Sequence, residues 1–252
     1  MEAYRHFATV YDRLMEEMPY PQWLEFAENC WRRYGLPKSV VDLGCGTGSI
    51  AIPLAKSGCQ VYAIDLSSDM LTVGRSKWED EQSRSGSITW LQQNMTEWEI
   101  GEPADSVISF CDCINYLTEE EDVLASFEAT YRGLKPGGVF LFDAHAPQTF
   151  LRYAAEQPFV LDEPDVAYIW TSDLDEESME IEHQLTIFVQ ESESPRSTYT
   201  RIEETHVQRA YDAEWLREAL LGTGFSKVEL FADFTMEPAD DGAERLFFAA
   251  IK

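Results

Sequence analysis

The chain has 252 residues, 44% hydrophobic and 13% aromatic, which is enough apolar side chain for a sizeable core and unlike a disordered segment. Its 19 Lys and Arg stand against 46 Asp and Glu, a formal net charge of −27. A surface this acidic repels phosphate backbones and anionic lipid, so nucleic acid and anionic membrane surfaces are disfavoured as main partners and neutral or cationic ligands are favoured.

No apolar run approaches the roughly 20 residues that cross hydrocarbon, and residues 1–6 show neither the basic nor the apolar part of a secretory signal. Five cysteines (Cys30, Cys45, Cys59, Cys111 and Cys113) form no CxxC pair, and the four histidines have no metal-ligand spacing. A cytoplasmic chain without a bound metal is expected, as a monomer or homodimer.

Phe7, Val10, Tyr11 and Leu14 recur at helical spacing, and a second helix begins at Pro21 with Trp23, Phe26, Ala27 and Cys30 on one face, ending at Gly35 and Pro37. From Ser39 short apolar runs alternate with helix-length segments. Strands are predicted at 40–43, 61–64, 88–91, 106–110 and 139–142, with helices starting near Ser49, Ser68 and Thr118. Such alternation specifies βαβ units and a parallel sheet covered on both faces. After Pro147 the period changes. Met179, Ile181, His183, Leu185, Ile187 and Val189 take every second place over eleven residues, a half-buried antiparallel strand, with neighbours at 167–172 and 197–207. The tail returns to a helix over 212–221, stopped by Gly222 and Gly224, then strands at 228–231 and 245–251. Three regions are expected: an N-terminal helical lid (1–36), an α/β core (37–147 and 207–252), and a β-rich insertion (148–206) covering the substrate.

The sharpest motif is Asp42-Leu43-Gly44-Cys45-Gly46-Thr47-Gly48, between a buried strand and a helix, where glycines let a ligand lie against backbone. Asp65, 23 residues after Asp42, ends the next strand, placed to accept hydrogen bonds from ribose hydroxyls. A nucleoside ligand follows. The dinucleotide pattern G-x-G-x-x-G has Ser49 in its third glycine place, and no Gly-Lys-Ser/Thr completes a phosphate loop.

Four features in order resemble the class I S-adenosylmethionine-dependent methyltransferases: the glycine motif, Asp65, Gln93-Asn94-Met95 after the third strand, and Leu134-Lys135-Pro136-Gly137-Gly138 as the turn into the fifth. Segments 7–15 and 111–117 are similar to the YqeM-like bacterial subgroup, and the layout with an added antiparallel sheet is similar to sugar N-methyltransferases. The resemblance implies a Rossmann-like methyltransferase fold, a mostly parallel seven-stranded sheet with helices on both faces, N-terminal helices and an inserted antiparallel sheet. It implies S-adenosyl-L-methionine as cofactor and a small-molecule methyl acceptor, with N or O methylated in preference to C. Carried over by position, Gly44, Gly46 and Gly48, with Cys45, face the methionine half, and Asp42 supports the loop. Asp65 and the adjoining Leu66 meet the ribose side, Asn94 and Met95 the adenine, and the Cys111 carbonyl the cofactor ammonium. Tyr11 comes from a lid. Each assignment has a plainer counterpart: Asn94 as a turn residue, Tyr11 and Phe7 as core, Cys111 and Cys113 as packed thiols.

Period two places Ile202, Glu204 and His206 on one face of the last insertion strand. If that face lines the cavity, Glu204 orients His206 as a general base, with His145 and His183 as further candidates; a hydrogen-bonded structural histidine is the competing assignment. Two other functions share the glycine loop: a non-catalytic S-adenosylmethionine-binding regulator, and a nicotinamide-dependent reductase, which Ser49 and the 134–138 turn oppose.

Overall fold

The computed structural model describes residues 8, 10–83, 85–191, 198–240 and 242–252. Phe7, Thr9, His6 and most of the polar turn expected at 191–196, with the strand start at Ser197, lie outside the described residues.

The element order is α1 (Tyr20–Tyr34), β1 (Ser39–Leu43), α2 (Ala51–Lys56), β2 (Gln60–Asp65), α3 (Ser68–Asp80), β3 (Ser87–Gln92), β4 (Ala104–Ser109), a 3₁₀ turn (Cys113–Tyr116), α4 (Glu120–Gly133) and β5 (Leu134–His145). There follow α5 (Pro147–Glu156), β6 (Phe159–Asp162), β7 (Val166–Asp175), β8 (Glu180–Gln190), β9 (Tyr199–Arg209), α6 (Ala213–Thr223), β10 (Lys227–Ala232) and β11 (Arg245–Ile251). Seven strands form the large sheet in the order β10-β11-β5-β4-β1-β2-β3, and four form a separate sheet, β6-β7-β8-β9. In the large sheet β11 alone runs against its neighbours, pairing antiparallel with both β5 and β10.

Burial on both faces explains why the central strands read as unbroken apolar runs. Val41, Leu43, Phe140 and Phe142 face one core with Phe127 of α4 and Leu216 and Leu220 of α6. Val40, Val139 and Leu141 face the other, with Trp23, Phe26 and Trp31 of α1 and Leu71 and Trp78 of α3. Chain connections diverge at β1, which lies between β2 and β4, so a crevice opens beyond the carboxyl ends of β1 and β4.

Three local readings need correction. Leu134–Gly138 is not a free turn: it joins β5, with Leu134 paired to Ala104 and a register irregularity before Ser106. Gly222 lies inside α6, whose cap is Gly224 at φ +120°, because the backbone N–H of Gly224 reaches the carbonyls of Leu220 and Leu221. Before the long antiparallel strands stand α5 and β6, an unforeseen helix and a short edge strand. The small sheet docks through Val166, Ile187 and Ile202, which pack with Val10, Tyr11 and Leu14 and with Met70 of α3.

Candidate functional site

All three loop glycines adopt left-handed backbone, φ +73° at Gly44, +53° at Gly46 and +83° at Gly48. Space is as restrictive as torsion. A Cβ on Gly44 would stand 2.5 Å from the Cys113 sulfur, and one on Gly48 2.6 Å from the Trp90 ring. Asp65 holds the loop from below: its Oδ2 accepts the Gly46 N–H at 2.8 Å, and its Oδ1 accepts the Ser67 N–H at 2.8 Å. The Leu66 N–H also approaches this carboxylate, and with roughly four lone-pair sites on its two oxygens it has room for one further donor. Leu66 beside it is 68% exposed. Met95 brings its methyl within 3.7 Å of a Cβ placed on Gly44. Asn94 is exposed and accepts the Thr96 N–H at 3.1 Å, in the geometry of a turn residue.

Asp42 is buried at the base of the loop and its Oδ2 has no hydrogen-bond partner among the described residues. Burial, with the nearby Asp65 carboxylate second, pushes its carboxyl up to about 7. The Cys45 thiol is also raised, chiefly by burial.

Across the crevice, Cys111 and Asp112 follow β4 with φ +61° and +52°. Two consecutive non-glycine residues in that region are strained, and the surroundings must hold them there. Asp143, fully buried in β5, does so by accepting the Cys111 N–H at 2.8 Å and the Asp112 N–H at 3.2 Å. It also accepts the Trp23 indole N–H at 2.9 Å. Arg245 bridges Asp143 and Asp112, with 3.1 Å to the latter, and its guanidinium lies 5.3 Å from the Trp23 ring. Asp112 is held well below the usual carboxylate range by His145 and Arg245, which outweigh its burial, whereas burial leaves Asp143 raised.

His145 ends β5 inside this network. Its Nε2 lies 3.4 Å from Asp112 Oδ1 and 3.2 Å from Arg245, and its Nδ1 is buried without a partner among the described residues. Asn115 ties the corner together, accepting the His145 N–H at 2.9 Å and donating to the Arg209 carbonyl at 2.9 Å.

The N-terminal segment crosses over the glycine loop. The Tyr11 ring lies 4.0 Å from a Cβ placed on Gly46. Asp12 accepts from Thr47 Oγ1 at 2.5 Å and pairs with Lys77 of α3 at 2.7 Å, while Arg13 pairs at 2.8 Å with Asp165, in the turn between β6 and β7. Adjacent residues thus fasten this segment to the loop and to the roof.

On the roof, Ile202, Glu204 and Gln208 are buried and His206 is half-buried, while Glu203 and Thr205 are exposed, so the expected face points inward. Glu204 is 6% exposed and its Oε1 has no partner among the described residues. His206 meets the Tyr116 ring edge-on at 6.0 Å, and burial lowers its pKa. Gln208 donates to Asp112 Oδ2 at 2.8 Å. His183 is engaged elsewhere: its Nδ1 accepts the Trp170 N–H at 3.0 Å and lies 2.8 Å from Ser172 Oγ, and burial lowers its pKa to about 4. It is a hydrogen-bonded structural histidine.

The glycine loop, Asp65, Met95, Cys111 and Tyr11 therefore meet at one crevice. Its electrostatic character shows at Cys113, whose thiol is pushed well up first by burial and then by Asp112, Asp65, Asp143 and Asp42. Sequence reading missed Asp112, Asp143, Arg245 and Gln208. An Asp inside the apolar run 139–146 was the available signal, since a charge there needs a partner.

A family model for the methyltransferase domain matches residues 40–138. A relative from Geobacillus sp. (strain WCH70) is 38% identical over 99% of this chain and 100% of its own length. YqeM of Bacillus subtilis (strain 168) is 37% identical over 99% of this chain and 97% of its own. Among solved structures, an S-adenosylmethionine-dependent methyltransferase from Clostridium acetobutylicum ATCC 824 superposes with a TM-score of 0.86 at 24% identity, covering 98% of each chain. With the seven-stranded sheet and the glycine-loop crevice, these matches place the chain in the YqeM-like group of class I S-adenosylmethionine-dependent methyltransferases.

Proposed function

We propose that this chain moves a methyl group from S-adenosylmethionine to a small-molecule acceptor, through nitrogen or oxygen, held between the glycine loop, the N-terminal segment and the small sheet. The observation that carries the reading is the crevice itself: three left-handed glycines backed by Asp65, with a buried, unpartnered Asp42 oxygen and two more carboxylates nearby. An anionic pyrophosphate meets repulsion there, and a cationic ligand meets complementary charge. That field opposes the reductase alternative.

The cofactor, when bound, supplies an activated methyl group on a positively charged sulfur. Gly44, Gly46 and Gly48 admit it close to backbone, Asp65, with Leu66 beside it, offers its remaining acceptor site to the ribose hydroxyls, and Asn94 and Met95 flank the adenine. The Cys111 carbonyl and the Asp42 side face its ammonium, and Tyr11 closes over it. Alignment of acceptor and methyl group supplies roughly 7–11 kcal/mol of barrier reduction, so the roof chiefly orients and excludes water. We assign His145 to positioning within the Asp112–Arg245 network and the acceptor side to Glu204 and His206. The lid, core and insertion divide the chain near 36, 147 and 206.

Thermal unfolding with S-adenosylhomocysteine tests the reading. Ligand at about 100 times its Kd adds about 2.7 kcal/mol, roughly 5–11 °C in Tm for a chain of this size. Asp65→Ala should abolish most of that shift, and NAD should give none. A Tm unmoved by the nucleoside overturns the proposal, and tight binding without transfer of labelled methyl to any metabolite favours the regulator.

A further inference from the structure

Building on the acceptor site proposed above, we infer that the acceptor atom is an amine nitrogen and that Glu204 is the carboxylate that receives it as an ammonium ion. Three same-face residues of β9 locate Glu204. Ile202 packs in the cluster that holds Tyr11 and Met70. His206 meets Tyr116, and Gln208 is bonded to Asp112 beside Cys111. Same-face residues on a strand are about 7 Å apart. Glu204 therefore lies between the lid tyrosine and the loop after β4, above the crevice.

Among the described residues, Glu204 pairs with no cation and its Oε1 accepts no hydrogen bond. Directly across on β8 stands Leu185, an apolar neighbour. The Arg245 guanidinium, which shares Asp112 with Gln208, is engaged by Asp112 and Asp143, and His183 is satisfied by Trp170 and Ser172. Burial alone accounts for the upward shift of the Glu204 carboxyl. A buried carboxylate without a partner is costly, and a partner arriving with the substrate relieves that cost. An ammonium group brings both the opposite charge and N–H donors for Oε1. A hydroxyl brings one donor and leaves the charge uncompensated.

The chemistry balances. Glu204 takes one proton from the bound ammonium, leaving a neutral amine with its lone pair. Nitrogen then forms a bond to the methyl carbon as the carbon–sulfur bond breaks, and that electron pair stays on sulfur. The methylated nitrogen carries the positive charge, and the proton on Glu204 passes to solvent.

The test uses S-adenosylmethionine with a trideuterated methyl group and a bacterial metabolite extract, untreated or with its amines acetylated. The label should appear on nitrogen and vanish after acetylation. The isolated labelled product should bind the S-adenosylhomocysteine-loaded protein roughly thirtyfold or more weakly in Glu204→Gln, the scale for removing one partner of a buried charge pair. Affinity for S-adenosylhomocysteine itself should not change, and the variant should unfold no earlier than the wild type, because it loses an uncompensated charge. Label on oxygen or carbon, label that survives acetylation, product binding unchanged in Glu204→Gln, or lost cofactor affinity each overturns the inference. Absence of label in the wild type instead overturns the transfer reading on which it rests.

Discussion

Arg245→Met keeps the length of the side chain and removes the guanidinium that joins Asp112 to Asp143. Of the two carboxylates left behind, Asp143 is completely enclosed and Asp112 is 17% exposed. Breaking a buried ion pair by deleting one partner costs roughly 3–5 kcal/mol. Asp143 would keep the N–H donors of Trp23, Cys111 and Asp112, and Asp112 would keep Gln208. A value near 3 kcal/mol is therefore expected, and at about 2–4 °C per kcal/mol for a chain of this size Tm falls by roughly 6–12 °C. Arg217→Met is the control, since its pair with Glu214 is 39% and 61% exposed and such pairs contribute at most about 1 kcal/mol. Adding Asp143→Asn to Arg245→Met removes one stranded charge and should recover part of the loss. The assay is equilibrium unfolding in urea with near-ultraviolet dichroism. A loss for Arg245→Met no larger than for Arg217→Met would refute the idea that this guanidinium holds the crevice wall.

Further outcomes follow from the same site. Gly44→Ala forces a left-handed alanine against the Cys113 sulfur and should weaken S-adenosylhomocysteine binding about tenfold, the scale of the torsional cost alone, with partial rescue by Cys113→Ala in calorimetric titration. The Asp42 carboxyl, raised to about 7, binds a proton in the folded chain that the unfolded chain releases near its ordinary value of 3.8. Its stabilising contribution is therefore present at low pH and lost as pH rises through about 7. A cation bound beside it favours the charged form, so S-adenosylmethionine affinity should increase as pH rises through 7, with proton release seen by calorimetry in two buffers; Asp42→Asn should abolish both. Lys77→Met cuts the Asp12 fastening at a half-exposed position, so unfolding should change by less than about 1 kcal/mol while S-adenosylhomocysteine dissociates faster in stopped flow.

Local chemistry made much of this legible. Alternating runs from Val40 to Phe142 encode a sheet buried on both faces, because each strand meets helices above and below. The glycine motif encodes a left-handed loop, because its three positions tolerate little else. Period two in β8 and β9 encodes which side chains share a face, and the inward set Ile202, Glu204 and Gln208 agrees with it. The tertiary structure alone decided which charges meet. Asp112 and Arg245 are 133 positions apart, and Asp143 and Arg245 are 102 apart. Their pairing depends on β11 lying beside β5, with Arg245 in register with His145. Likewise, no spacing within β9 shows that the carboxylate at Glu204 lacks a partner. Periodicity carries the direction of a side chain along one element, whereas compensation of a buried charge depends on segments that approach only after the sheets have formed.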